Sequence, residues 1–447
     1  MRTLTPSRIL CILTATLVSL LSIGTSSGHE AQQCCAPTEA RAALSLSLAQ
    51  EKGKSEADAA KPKVRTITAF INIDRARYQI DMSDAVKFLK YARTVYESRG
   101  YTVQTLRIAT QPFPEYTKGL SHEEALQFFK NLDGIAQQEN LMLSIGPAYV
   151  SVGDGSAQAD LLVDVIRNTK KIYGSLMVSK DESINWPAVR AAAEAIKALA
   201  DTTDHSEGNF HFAAIANVPP YTPFFPAAYH NGAGRQFAVA LESANVVRAA
   251  FAGASDQASA KRRLIDAMFE QLSDAESLAQ RIDREQGWIY MGIDESPAPM
   301  KDVSIGEAIE LFTKQPFGSS GTMTAAGAIT SALKELGIRK TGYSGLMLPI
   351  LEDARLAQRY NEGNISMDAL LSYSAVCGTG LDTVPLPGDI SVDALARMIG
   401  DVATLAVKWN KPLSARLLPV AGKHAGEMTE FTDPNLMNVT LQPLATK

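Results

Sequence analysis

The chain is poor in the residues that most often mark a metal or redox site. Cysteine occurs four times and histidine six times in 447 residues, and no His/Cys spacing has the form of a zinc site. Neither charge sign dominates: 43 Lys and Arg stand against 48 Asp and Glu, a net of −5. Without a basic surplus there is no argument for a nucleic-acid partner, and no acidic tail appears. After residue 28 no run is long and apolar enough to cross a bilayer, which takes about 20 residues. What is present is ordinary core material, 46% hydrophobic and 20% charged. That composition excludes disordered, collagen-like and mini-protein classes. The length allows two or three domains or one large α/β unit.

The N-terminus sets the expected compartment. Arg2 and Arg8 precede an uncharged apolar run, Ile9 to Ile23, followed by Thr25, Ser26, Ser27 and Gly28. This reads as a secretory signal peptide over 1–28, cleaved after Gly28, with Ser26 and Gly28 as the small residues at the exit. The alternative is an uncleaved signal anchor. The mature chain is therefore expected to be secreted or periplasmic. Residues 29–63, rich in Ala, Ser, Gln, Glu and Lys, read as a flexible leader. Cleavage removes Cys11 and leaves Cys34, Cys35 and Cys377. Either one of the adjacent pair bonds Cys377, or the pair links another chain, or all stay reduced.

From Val64 onward strand and helix patterns alternate. Val64–Ile73 and Tyr101–Ile108 read as strands flanking a helix whose apolar stripe is Ala85, Phe88, Leu89, Ala92, Val95 and Tyr96. Further strands are expected at 141–145, 175–179, 211–217, 288–293 and 413–418, with helices near 187–201, 236–252, 257–285, 304–315, 322–336 and 391–409. The alternation predicts a largely parallel α/β sheet, closed or nearly so, in one domain over 64–447.

Unusual residues crowd the last third. Carboxylates Asp294, Glu295, Glu352, Asp353, Asp382 and Asp389 lie in Gly/Pro-rich stretches rather than on helix faces. Such carboxylates serve as acid and base, as expected for Asp294, Glu295, Asp353 and Asp382. They also bind a hard cation, Mg²⁺ or Ca²⁺, with Asp389 and Glu352 as the expected ligands. The alternative is helix capping and ion pairing, for instance Glu352-Asp353 starting a helix. Gly318, Ser319, Ser320, Gly321 and Thr322 open a helix whose free N–H groups would suit an anion. Arg416, at a strand end, would grip a carboxylate or phosphate through two nitrogens, and His230 is a candidate contact beside the Phe-Phe-Pro loop. Cys377 lies in a Gly-flanked turn and is either a nucleophile or a structural or disulfide residue.

Several stretches carry a resemblance: Val64-Arg-Thr-Ile-Thr, Val103-Gln-Thr-Leu-Arg-Ile, Pro223-Phe-Phe-Pro-Ala-Ala-Tyr-His230, Gly292 to Pro299, Phe317 to Thr322, Gly342 to Asp353, Lys411 to His424, and above all Cys377 to Asp389. Over about 64–443 the chain resembles a family catalogued as a domain of unknown function, number seven-one-one. Its fold is similar to that of pyruvate formate-lyase and other glycyl radical enzymes. The resemblance implies a barrel of about ten strands ringed by helices, with a cysteine-bearing loop inside, and no particular reaction. The leader departs from the cytosolic pattern of the family. The radical motif is also lacking: Arg339-Lys-Thr-Gly-Tyr343 has its form, but Gly342 precedes Cys377 instead of following it. The expectation is an exported enzyme acting on a small anionic metabolite by carboxylate or metal-assisted chemistry. The alternative is a non-catalytic binder of a small-molecule ligand. An oligomer is compatible with either.

Overall fold

The β-branched runs seen in the sequence become strands where each can bury both faces, one under helices and the other around an inner segment. The computed structural model describes residues 61–149, 156–376 and 378–444. All belong to one unit, Ser55–Lys447. The expected signal peptide, the leader up to residue 60, Cys34, Cys35 and Cys377 lie outside the described residues.

Ten strands form one sheet: β1 (Lys63–Ile71), β2 (Val103–Thr110), β3 (Met142–Ala148), β4 (Ile172–Lys180), β5 (Ser183–Ile184), β6 (Phe212–Ala216), β7 (Gln236–Glu242), β8 (Ile289–Asp294), β9 (Gly380–Pro387) and β10 (Leu413–Val420). The order is β8-β7-β1-β2-β3-β4-β6-β10-β9, with β5 beside β4. β1 to β4 and β6 run parallel to one another. The parallel pairs β7/β8 and β9/β10 flank them in the opposite direction. The sheet is thus parallel within each group and antiparallel at two seams, β1/β7 and β6/β10. The short β5 is also antiparallel to β4, but six of the nine pairings are parallel, so the sheet is largely parallel as expected, and its strand order has two ends, β8 and β9.

One correction concerns 236–252, expected as one helix. Gln236–Glu242 is a strand and Ala244–Ala252 a helix. Ala, Leu and Glu favour helices, but here burial on both faces decides the conformation.

The edges of the sheet are not bare. Between them runs the irregular segment 340–349: Ile293 of β8 bridges Lys340, and Asp382 of β9 bridges Pro349.

Local chemistry fixes the helices on the outer face. Ser121 and Glu124 form a capping box for His122–Gln138. Asn185 caps Trp186–Thr202, which carries Pro at its start. Helix Gln257–Gln286 ends at Gly287 in the left-handed conformation. Among the described residues no helix is long and apolar enough to cross a membrane.

The other face of the sheet holds segment 217–235. Phe70, Ala109, Tyr173 and Ala238 from four strands pack on Phe225 and Ala228. Met177, Ala213 and Ile215 pack with Phe224, Ala227 and Tyr229. Small inward residues leave room for this segment, and Ser144 Oγ donates to the Ala228 carbonyl at 2.7 Å.

Candidate functional site

Beside Phe224 and Phe225 a cavity of about 280 Å³ remains. Its wall takes residues from β1, β2, β3, β4, β7, β8 and β10, so only the completed sheet creates it. Three arginines reach it: Arg65, Arg107 and Arg416.

Arg416 on β10 is 3% exposed. Its Nε donates to Asp382 Oδ1 at 2.7 Å, and its Nη2 donates to Glu352 Oε1. On the other side of Glu352, Arg65 Nη2 donates to Oε2 at 2.9 Å, while Arg65 Nη1 donates to the Pro299 carbonyl. Two buried carboxylates and two arginines thus form one chain of charge. Burial opposes ionisation of Glu352, but Arg416 and Arg65 outweigh it and hold its carboxyl below the usual range. Burial likewise pushes Asp382 up, and its single share of Arg416 does not bring it back. Asp382 Oδ2 has no hydrogen-bond partner among the described residues.

Arg107 on β2 is different. It is 8% exposed, and no carboxylate lies within 4.0 Å of it among the described residues. Its hydrogen bonds go to neutral oxygens: Nη1 to the Pro223 carbonyl at 3.3 Å and Nε to Thr105 Oγ1 at 3.2 Å. Its guanidinium lies 4.9 Å from the Phe225 ring centroid. Burial, reinforced by the charge on Arg65, pulls its pKa down to about 9. A buried cation without a counter-ion is costly, so this is where an anion would be most stabilising.

Asp294 ends β8 at the cavity wall. It accepts from Ser296 N and Oγ, Tyr343 N and Ser344 N, which offset the upward push of burial without cancelling it. Gly342 makes this turn possible. Its φ is +72°, and a Cβ there would collide with Asp294 Oδ2. The glycine of the Arg339–Tyr343 motif thus has a structural task.

Several other expected residues lie elsewhere. Asp353 caps two helices at once, accepting from Ser304 Oγ, Ile305 N and Gly306 N on one side and Arg355 N and Leu356 N on the other. Its oxygens are committed to capping, as the capping alternative foresaw. Glu295, buried beside Asp294, is absent from the cavity wall. Lys340 Nζ is 3.5 Å from its Oε2, an ion pair without hydrogen-bond geometry, and burial pushes its carboxyl up to about 8.

Residues 318–322 are absent from the cavity wall and instead start helix Thr322–Glu335, whose Phe317 flank packs edge-on against Tyr373. The expected anion loop is therefore not at this cavity. His230 is fully buried, with Nε2 2.7 Å from Gln236 Oε1, and burial lowers its pKa. Asp389 lies 3.6 Å from His424 Nδ1, whereas Glu352 is bound to two arginines. They do not form a shared cation site, and among the described residues no group of three or more His, Cys, Asp or Glu is placed to hold a metal ion.

Of the expected residues, Arg416, Glu352 and Asp294 therefore line the cavity, and Asp382, absent from its wall, joins them through Arg416. Arg65 and Arg107 carry the remaining charge and were not singled out by the sequence reading. The available signal was an arginine inside each apolar strand run, Val64-Arg65-Thr66-Ile67 and Leu106-Arg107-Ile108.

The similarity to known proteins covers this whole arrangement. A family described as "Uncharacterised ACR (DUF711)" matches residues 57–435. A UPF0210 protein of Pyrobaculum islandicum is 31% identical over 349 residues, 74% of this chain and 77% of the relative. One from Pyrobaculum aerophilum is 32% identical over 397 residues, 81% and 86% of the two chains. One from Methanopyrus kandleri is 28% identical over 410 residues, 82% and 88%.

Proposed function

The chain belongs to the DUF711 family, and from that premise we propose an exported enzyme that acts on a small anionic metabolite in the cavity beside Phe224 and Phe225. One observation carries the reading: Arg107 is a buried cation facing that cavity with only neutral hydrogen-bond partners among the described residues. An anion bound there would supply the missing counter-charge. Asp382 and Glu352 are the proposed acid–base pair. They share Arg416, yet burial raises the pKa of one while arginines lower that of the other, which divides the roles of proton donor and acceptor.

The same reading takes the sheet as a barrel of the pyruvate formate-lyase kind, with segment 340–349 as its closing stave. Support comes from the bridges of that segment to β8 and β9 and from the two opposed parallel groups. Fold kinship transfers no mechanism. Export is supported by the basic start and the uncharged run Ile9–Ile23.

A second reading, a non-catalytic binder, is favoured by the hydrogen bonds that already occupy Asp294 and Glu352. The two separate in one experiment. Anions that raise the melting temperature are incubated with the protein and followed by NMR. Conversion that is lost in Asp382→Asn with binding retained supports the enzyme. Ligand recovered unchanged from every incubation supports the binder, and a wild-type melting temperature indifferent to all anions overturns both. Mass spectrometry of protein exported by its native host tests the compartment, with a mature N-terminus at His29 expected.

A further inference from the structure

Resting on the anion reading above, we infer that the cavity takes a monocarboxylate with an apolar body, aryl or alkyl, and not a phosphorylated metabolite.

Charge is the first argument. Arg65 and Arg416 are already neutralised through Glu352 and Asp382. Among the described residues that leaves Arg107 as the arginine of the wall with no carboxylate within 4.0 Å. A singly charged ligand gives it a partner while adding the least negative charge beside Asp294. A phosphate monoester, near two negative charges, would carry one charge too many into a space that Glu352 and Asp294 also face.

Donor geometry is the second. Phosphate sites are typically built from clustered backbone N–H groups at a helix start. Among the described residues the Gly/Ser-rich helix start at 318–322 is absent from the cavity wall. What the cavity offers is a guanidinium fork with Nη2 uncommitted, since Nε and Nη1 make the two bonds Arg107 has. The N–H groups of Nη2 can donate a charge-assisted hydrogen bond to a carboxylate oxygen.

The remaining wall is the third. Met142, Phe224, Phe225, Met300 and Met347 face the cavity. Thioethers and ring faces suit an apolar body, and methionine adapts to its shape. Several polar side chains of the wall are occupied: Gln104 donates to Glu242, Asn435 to Asp433 Oδ1, Thr105 to the Arg65 carbonyl and Ser296 to Asp294 Oδ1. That limits the donors open to a polyhydroxylated ligand. At about 280 Å³ the space lies just below the usual range of about 300–1,000 Å³ for small-molecule sites.

The test uses the full chain and four probes in calorimetric titration: benzoate, hexanoate, inorganic phosphate and the neutral isostere benzamide. Benzoate or hexanoate is expected to bind while phosphate and benzamide do not. In Arg107→Gln the carboxylate should bind about ten- to hundredfold more weakly, as loss of a charged hydrogen-bond pair implies. Met300→Trp, which fills the apolar half and leaves Arg107 in place, should also abolish binding and covers the case that Arg107→Gln fails to fold. Binding of phosphate without either carboxylate overturns the ligand class and leaves the anion site standing. Benzamide binding as tightly as benzoate, or Met300→Trp binding as wild type does, overturns the inference. Silence with all four probes overturns it; the wider anion panel described above then decides the anion reading separately.

Discussion

Arg65 and Glu352 are 287 positions apart in the chain and meet at 2.9 Å beside the cavity. The contact ties the first strand to the turn before helix Ala354–Asn361, and Arg416 on β10 completes the tie from the other side. Removing the shared carboxylate leaves the part-buried Arg65 without its ion pair and the buried Arg416 with Asp382 alone. Glu352→Gln is therefore expected to cost about 3–5 kcal/mol in urea unfolding. A loss below about 1 kcal/mol would mean that solvent reaches the network and does its work.

Arg107 is expected to behave in the opposite way. It has no carboxylate to abandon, so Arg107→Met trades an uncompensated charge for an apolar side chain of similar length. Stability of the ligand-free protein should stay the same or rise by about 1 kcal/mol or more. A marked fall in melting temperature would show that its bonds to Pro223 and Thr105 hold segment 217–235 in place.

These two arginines also show where reading the sequence stops. Strands β1 to β4, β6, β8 and β10 were legible because β-branched runs and Gly stops are local signals. β7 was not, since its Ala-Val-Ala-Leu-Glu run favours a helix until both faces are buried. The two antiparallel seams were equally hidden, because pairing direction depends on residues far away in the chain. For the site, composition drew attention to acidic, Gly-rich turns, and these divide in space. Asp294 and Glu352 border the cavity with Arg416, and Asp382, absent from its wall, is tied to it through Arg416. Asp353 and 318–322 serve helix starts, where the same residue types are needed for capping. Arg65 and Arg107 fall in strands, where a lone arginine reads as one polar position among many.

Gly342→Ala tests the turn that carries Asp294. The left-handed φ costs about 1 kcal/mol for alanine, and the Cβ would displace the carboxylate it touches. A loss of about 2–4 kcal/mol is expected, together with loss of any ligand-induced rise in melting temperature, since Asp294 borders the cavity. Gly287→Ala is the control. Its φ is also positive but its Cβ position is open, so only the smaller backbone cost should appear.

The last prediction concerns pH. Glu295 is 1% exposed, and burial lifts its carboxyl from 4.5 to about 8 despite Lys340. Between those two values the folded protein binds the proton more tightly than the unfolded chain does. Raising the pH through this window must then reduce stability, the reverse of the usual salt-bridged carboxylate. The loss begins near pH 4.5, grows to a few kcal/mol, and levels off above about pH 8. Glu295→Gln keeps the shape and removes the titration. Its stability should match the wild type near pH 4 and exceed it at pH 8.5, with the slope between them flattened. The measurement is a series of urea unfolding curves at half-unit pH steps. Parallel curves for the two proteins would mean that Lys340 at 3.5 Å holds Glu295 ionised throughout.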